Sequence, residues 1–142
     1  MAHLGNSSIH EFQEWKLGKG GDFIELEIQK GGEINVSKIG EKKKRSWEEF
    51  VIGFEDNKPC YSFFHFKYET KTGGQRSKTT MIQWIPSKCK PQEKMAYAMW
   101  SKLVKDSLPG IHTVIQACSK EDLEYQNVLE KVSRYENDQI NS

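Results

Sequence analysis

Residues Pro91–Leu108 read PQEKMAYAMWSKLVKDSL. Proline opens the stretch, apolar residues recur at helical spacing, and Pro109-Gly110 closes it, so one long helix is predicted. Turning each residue about 100° from the last places Ala96, Tyr97, Trp100, Leu103, Val104 and Leu108 on one face, which must be the buried one. Trp100 is therefore expected to be packed. Met95 and Met99 point largely away from that face, beside Lys94, Ala98, Lys102 and Lys105. Thioethers adapt to another protein's surface and lysines steer towards an acidic one, so this outer face is a candidate partner surface. A solvated face is the plainer alternative, because single exposed apolar residues are common.

Outward from this helix the chain alternates strands and helices. Asn6-Ser7-Ser8 can cap a short helix carrying Ile9, Phe12 and Trp15, ending near Gly18. Phe23–Gln29 alternates apolar and polar residues and reads as a half-buried strand. Lys30-Gly31-Gly32 turns it into a hairpin partner over Glu33–Ile39. Glu41–Arg45 is a charged loop, and Ser46 can cap a second helix with Trp47, Phe50 and Val51 on one side. A long strand starts at Cys60, with Tyr61, Phe63, His65, Lys67 and Glu69 on one face and Phe64, Phe66 and Tyr68 on the other. Thr72-Gly73-Gly74 leads to a strand over Arg76–Pro86. After the long helix come a strand over Thr113–Ala117 and a last helix from about Glu124 to Arg134, with Val128, Leu129 and Val132 apolar. These elements predict an α/β fold: a single domain over residues 1–142, with a central mixed sheet of five to six strands sandwiched by helices. Residues 1–6 read as an N-terminal arm, and 135–142 as a polar tail expected to fray.

The charge is balanced overall, with 21 basic and 20 acidic residues. That argues against a general nucleic-acid or membrane binder. It hides an asymmetry: Lys71–Leu108 holds eight basic residues against Glu93 and Asp106, a net +6, so the remainder carries −5. One side of the molecule is expected to be basic and its partner acidic. The three cysteines, Cys60, Cys89 and Cys118, are odd in number and far apart, with no metal-binding spacing. They suggest a reducing compartment. The first residues lack the apolar core of a signal peptide, and no apolar run approaches the ~20 residues of a membrane span.

No constellation makes an enzyme. The four histidines stand at 3, 10, 65 and 112. No nucleophile elbow, zinc-protease or phosphate-loop motif occurs, and the glycine pairs sit in turns. Glu48-Glu49 reads as a helix-surface pair. Cys89 between Lys88 and Lys90 could have a lowered pKa, but accidental placement is the favoured reading. No cofactor and no metal are expected. Lys42, Lys43, Lys44 and Arg45 form a short basic run without any nucleic-acid-binding motif beside it. It reads as a solvated loop, or as a nuclear-import or phosphoinositide head-group site.

Several strings then stand in a telling order. KLGK occupies 16–19, TKTGGQRSK 70–78, WIP 84–86, EKMAYA 93–98, LPGIH 108–112, IQA 115–117 and YQNVLEKVSR 125–134. In order and spacing they resemble the actin-depolymerising factor/cofilin family, over roughly residues 7 to 134. The resemblance implies a sheet of five or six strands with about four helices. It implies a long helix that wedges into actin through a lysine-methionine pair, here Lys94 and Met95. It also implies a second, filament-specific site: Arg76 and Lys78 on the strand, and Glu130, Lys131 and Arg134 on the last helix.

The implied function is a non-enzymatic, monomeric actin binder of the cytoplasm and cytoskeleton, with the nucleus as a second compartment. It would bind monomers and filaments and promote severing and depolymerisation. Alternatives are a relative that binds filament sides or the branching complex without severing, and a phosphoinositide-binding surface module using Lys42–Arg45 and the long-helix lysines. The departures from the family pattern fall on the long helix. Gln92 stands where a basic residue is usual, and Met99 and Trp100 where two serines are usual. Lys102 stands for an acid, and Lys105-Asp106 for paired basic residues. No serine occupies position 2 or 3, so control by phosphorylation there is expected to be absent, with Ser7 and Ser8 the remaining candidates.

Overall fold

The computed structural model describes residues 2–134, so the polar tail at 135–142 lies outside the described residues. In chain order the elements are β1 (His3–Leu4), α1 (Asn6–Lys16), β2 (Phe23–Ile28), β3 (Glu33–Ile39), α2 (Trp47–Ile52) and β4 (Cys60–Glu69). They continue with β5 (Gln75–Trp84), α3 (Pro91–Ser107), β6 (Thr113–Ala117), a 3-10 turn at Lys120–Leu123, and α4 (Tyr125–Ser133). The strands form one six-stranded sheet in the order β1-β3-β2-β4-β5-β6. The central pairs are antiparallel, while β1 on β3 and β6 on β5 are parallel. The sheet is mixed and helices cover both faces, as the sequence predicts.

Alternation along β4 makes the two layers. Tyr61 and Phe63 enter a cluster with Phe12 and Trp15 of α1 and Tyr97, Val104 and Leu108 of α3. Phe64, Phe66 and Tyr68 enter the other, with Trp47, Phe50 and Val51 of α2 and Val128, Leu129 and Val132 of α4. Strand β5 divides in the same way, Met81 to the first layer and Ile82 and Trp84 to the second. Truncating a fully buried ring such as Phe63 to alanine would cost about 3–5 kcal/mol. The two buried indoles of the second layer are anchored by hydrogen bonds. Trp47 Nε1 donates to the Leu123 carbonyl at 2.6 Å, and Trp84 Nε1 to that of Glu55 at 2.8 Å.

Two expectations change and two features are added. Within the N-terminal arm at 1–6, His3 and Leu4 pair with Glu33 and Ile34, using the edge that β3 would otherwise leave open. Asn6-Ser7-Ser8 does not cap α1; Gly5 holds the N-cap position without a side-chain cap. Ser8 instead clasps β3. Its hydroxyl donates to Asn35 Oδ1 at 2.9 Å and accepts from the Val36 N–H at 3.1 Å. A 3-10 turn at Lys120–Leu123 precedes α4, where the sequence pattern marks no element. It is fixed by the Asp122 carboxylate, which accepts from the Cys118 and Ser119 N–H groups. Finally, the buried stripe of α3 is narrower than the wheel implies. Tyr97, Val104 and Leu108 are buried, while Ala96, Trp100 and Leu103 are half-buried flanks. A helix on a sheet closes only the line it touches. Helix α2 meets its prediction: Ser46 Oγ accepts from the Glu49 N–H at 3.1 Å, and Glu49 accepts from the Ser46 N–H at 3.2 Å.

Candidate functional site

The outer face of α3 is built on a rigid inner one. Pro91 opens the helix, and Glu93 Oε1 accepts from the Lys90 N–H at 3.2 Å. Tyr97 then locks the helix to the sheet. Its hydroxyl accepts from the Ile28 N–H at 2.9 Å, and its carbonyl accepts from the Tyr61 hydroxyl at 2.6 Å. Burial pushes both phenol pKa values upward, so both hydroxyls stay neutral. With rotation fixed, Met95 is 68% exposed and Met99 59%. Pro91, Gln92, Met95, Ala96, Met99 and Trp100 line an open hollow of about 540 Å³. Trp100 is thus a wall of this hollow as well as a flank of the core. Ala98, Lys102 and Lys105 are exposed beside it, and Lys94 is half-buried. The Lys102 ammonium donates to Asp106 at 2.6 Å, which holds the Asp106 carboxyl below its usual range. The one acidic residue on this outer face is therefore already matched.

The second predicted group lies on the other side of the sheet. Arg76 and Lys78 share the parity of Ile82 and Trp84, so they face the layer that α4 covers. Both are half-buried, opposite Tyr68 and Phe66. Helix α4 buries Val128, Leu129 and Val132 and turns Glu130, Lys131 and Arg134 outward. The fold therefore assembles these five charges on one layer and keeps them off the α3 layer.

The basic run divides. Arg45 Nε donates to Asp22 Oδ2 at 2.6 Å, with its guanidinium 5.2 Å from the Phe23 ring centre, so it is a structural residue. Lys42, Lys43 and Lys44 remain exposed. They meet Lys67 and His65 of β4 around a hollow of about 740 Å³, a convergence that strand alternation alone does not reveal. His65 stacks on Trp15 with ring centres 4.3 Å apart, and its Nδ1 lies 3.2 Å from the Thr79 hydroxyl. Burial, then Lys67 and Lys16, lowers its pKa. Two minor alternatives of the sequence reading close. Cys89 is buried, and burial followed by Glu93 raises its thiol pKa, because Lys88 and Lys90 point to solvent. Ser8 is 1% exposed and so closed to modification, whereas Ser7 is exposed. Among the described residues no group of three His, Cys, Asp or Glu could hold a metal ion, and no helix is long and apolar enough to cross a membrane.

The family profile of the cofilin/tropomyosin-type actin-binding proteins matches residues 2–133. The chain belongs to this family. It is 34% identical to the cofilin of Yarrowia lipolytica over 133 residues, covering 92% of this chain and 86% of that protein. It is 33% identical to the cofilin of Gibberella zeae, covering 94% of each. Among solved structures, the Streptomyces griseoflavus cofilin superposes with a TM-score of 0.82 at 28% identity, covering 94% of this chain and 98% of that one. The cofilin fold is thus shared across the sheet and both helical layers.

Proposed function

We propose that this chain binds actin, as monomer and as filament, and promotes severing and depolymerisation. The carrying observation is the outer face of α3 in a cofilin-family chain: two exposed methionines, a hollow and flanking lysines on a helix whose inner face is locked. Lys94, Met95, Ala98, Met99, Lys102 and Lys105 form the proposed contact for monomer and filament. Arg76, Lys78, Glu130, Lys131 and Arg134 form the proposed filament-specific contact. The mechanism is differential binding: a protein that prefers one filament twist shifts subunits towards it and weakens their contacts. The chain acts as a monomer in the cytoplasm and on the cytoskeleton, without a cofactor and without catalysis.

The test is co-sedimentation with filamentous actin, with the residual monomer pool measured. Saturable pelleting together with a raised monomer pool is expected. Pelleting with an unchanged pool would leave a filament-side binder, and no pelleting would end the reading.

A second reading has its own observation. Lys67 joins Lys42, Lys43 and Lys44 around one hollow, a cluster suited to a phosphoinositide head group. Salt-sensitive binding to phosphoinositide vesicles, lost when the three loop lysines are neutralised, is its expected result.

A further inference from the structure

One cavity serves neither reading. It lies on the α2 side of the sheet, has a volume of about 280 Å³, and is walled by Phe23, Phe50 and Phe54. The sequence puts polar groups where this layer should be apolar. A cross-strand row runs Lys38, Glu25, Ser62, Ile82 and Ile115 over five strands. Its far half, Ile82 and Ile115, is fully buried core. Its near half opens into the cavity. Ser62 is 1% exposed, and its hydroxyl makes no hydrogen bond to any described residue. A buried hydroxyl without a partner is costly, so the position is poorly explained by packing. Next to it Glu25 meets the Cys60 thiol and the Ser37 hydroxyl, the latter at 3.4 Å. Burial, with Glu27 adding to it, raises the Glu25 pKa, while Lys38, its cross-strand neighbour, is the cation that acts against the rise.

The chain already shows what this space accepts. Two of its own cations lie over the Phe23 ring, Lys38 Nζ at 5.8 Å and Arg45 at 5.2 Å from the centroid. Arg45 is held by Asp22, and Glu27 is matched by Lys58 at 3.0 Å. Lys38 is exposed, on a stem that can swing to solvent. We infer that the cavity is a binding site for a small organic ammonium, a primary amine on a compact aryl or branched alkyl body. Glu25 and Ser62 take the ammonium, the three phenylalanine rings take the body, and Lys38 withdraws. The volume suits a fragment-sized ligand. Carboxylate and aromatic faces together favour a cation over a neutral molecule of the same shape.

The test is an amide-resolved NMR titration of the full chain with benzylamine and with benzyl alcohol. Saturable shifts are expected around Phe50, Phe54 and Ser62, with benzylamine binding about tenfold tighter. Glu25→Gln keeps the shape and removes the charge, so the amine-to-alcohol ratio should fall to about one. Lys38→Met removes the internal competitor from an exposed site and should tighten benzylamine about two- to threefold, which tests the proposal even if Glu25→Gln does not fold. Equal affinity for amine and alcohol in the native chain would overturn the site. So would shifts centred elsewhere, such as the α3 hollow, or a preference that survives in Glu25→Gln.

Discussion

The α3 layer and the β5/α4 layer offer a partner two different surfaces. On α3 the informative groups are exposed and apolar. Met95 and Met99 stand at more than half exposure around a hollow, and Lys102 has its charge matched by Asp106 within one turn. On β5 and α4 they are charged: Arg76 and Lys78 half-buried on the strand, Glu130, Lys131 and Arg134 outward on the helix. As the proposed contact, the first surface would gain most from removing apolar area from water, a term that salt hardly touches. The second gains from charge complementarity, which is screened over about 10 Å at 0.1 M salt. The two should therefore separate by salt dependence as well as by partner.

The largest effect is expected at the centre of the first surface. Lys94→Ala together with Met95→Ala should weaken actin monomer binding by about 3 kcal/mol, as interface anchors do. The fold should persist, because Met95 is exposed and Lys94 only half-buried. Monomer affinity measured by fluorescence on a folded double variant checks this; a loss under about threefold would remove these residues from the contact.

Trp100 gives the next largest effect, on stability. An indole fully inside the core would cost about 3–5 kcal/mol on truncation. Here the ring is half-buried between the core flank and the hollow, so Trp100→Ser should cost about 2 kcal/mol. Denaturant unfolding reads the value, and a loss of 4 kcal/mol or more would place the ring inside after all.

Where the sequence was legible, one dominant period had no competitor. Alternation through β4 assigned Phe63 and Phe64 to opposite layers, and Ser46 marked the start of α2. It was less legible where a side chain had two possible partners. Ser8 could cap a helix or clasp β3, and the nearby Asn35 decided it. Arg45 read as part of a basic run until Asp22, distant in sequence, claimed it. The wheel placed Met95 and Met99 correctly but could not give the width of sheet beneath α3. Trp100 was therefore assigned to the core when it stands at the edge. The Glu25–Ser62 cavity was invisible, because each residue alone is an ordinary strand residue. Only the cross-strand register brings them together.

The charged surface should give a smaller and conditional effect. Arg76→Gln with Lys78→Gln should weaken filament binding by about 1.4 kcal/mol, a tenfold loss, and leave monomer affinity within about twofold. Repeating the co-sedimentation at high salt should shrink the difference between variant and native chain. Equal losses for monomer and filament would merge the two surfaces into one.

Met99 tests the comparison most finely. It is 59% exposed, so Met99→Ser removes little buried area and should leave the melting temperature within about 2 °C. If the hollow it shares with Met95 and Trp100 closes against actin, the same change should weaken binding by about 1 kcal/mol. That loss should be nearly the same at low and high salt, because a thioether carries no charge to screen. A salt-dependent loss would mean that Met99 acts by positioning Lys102 or Lys105 rather than by its own contact. Unchanged binding would confine the apolar part of the α3 surface to Met95.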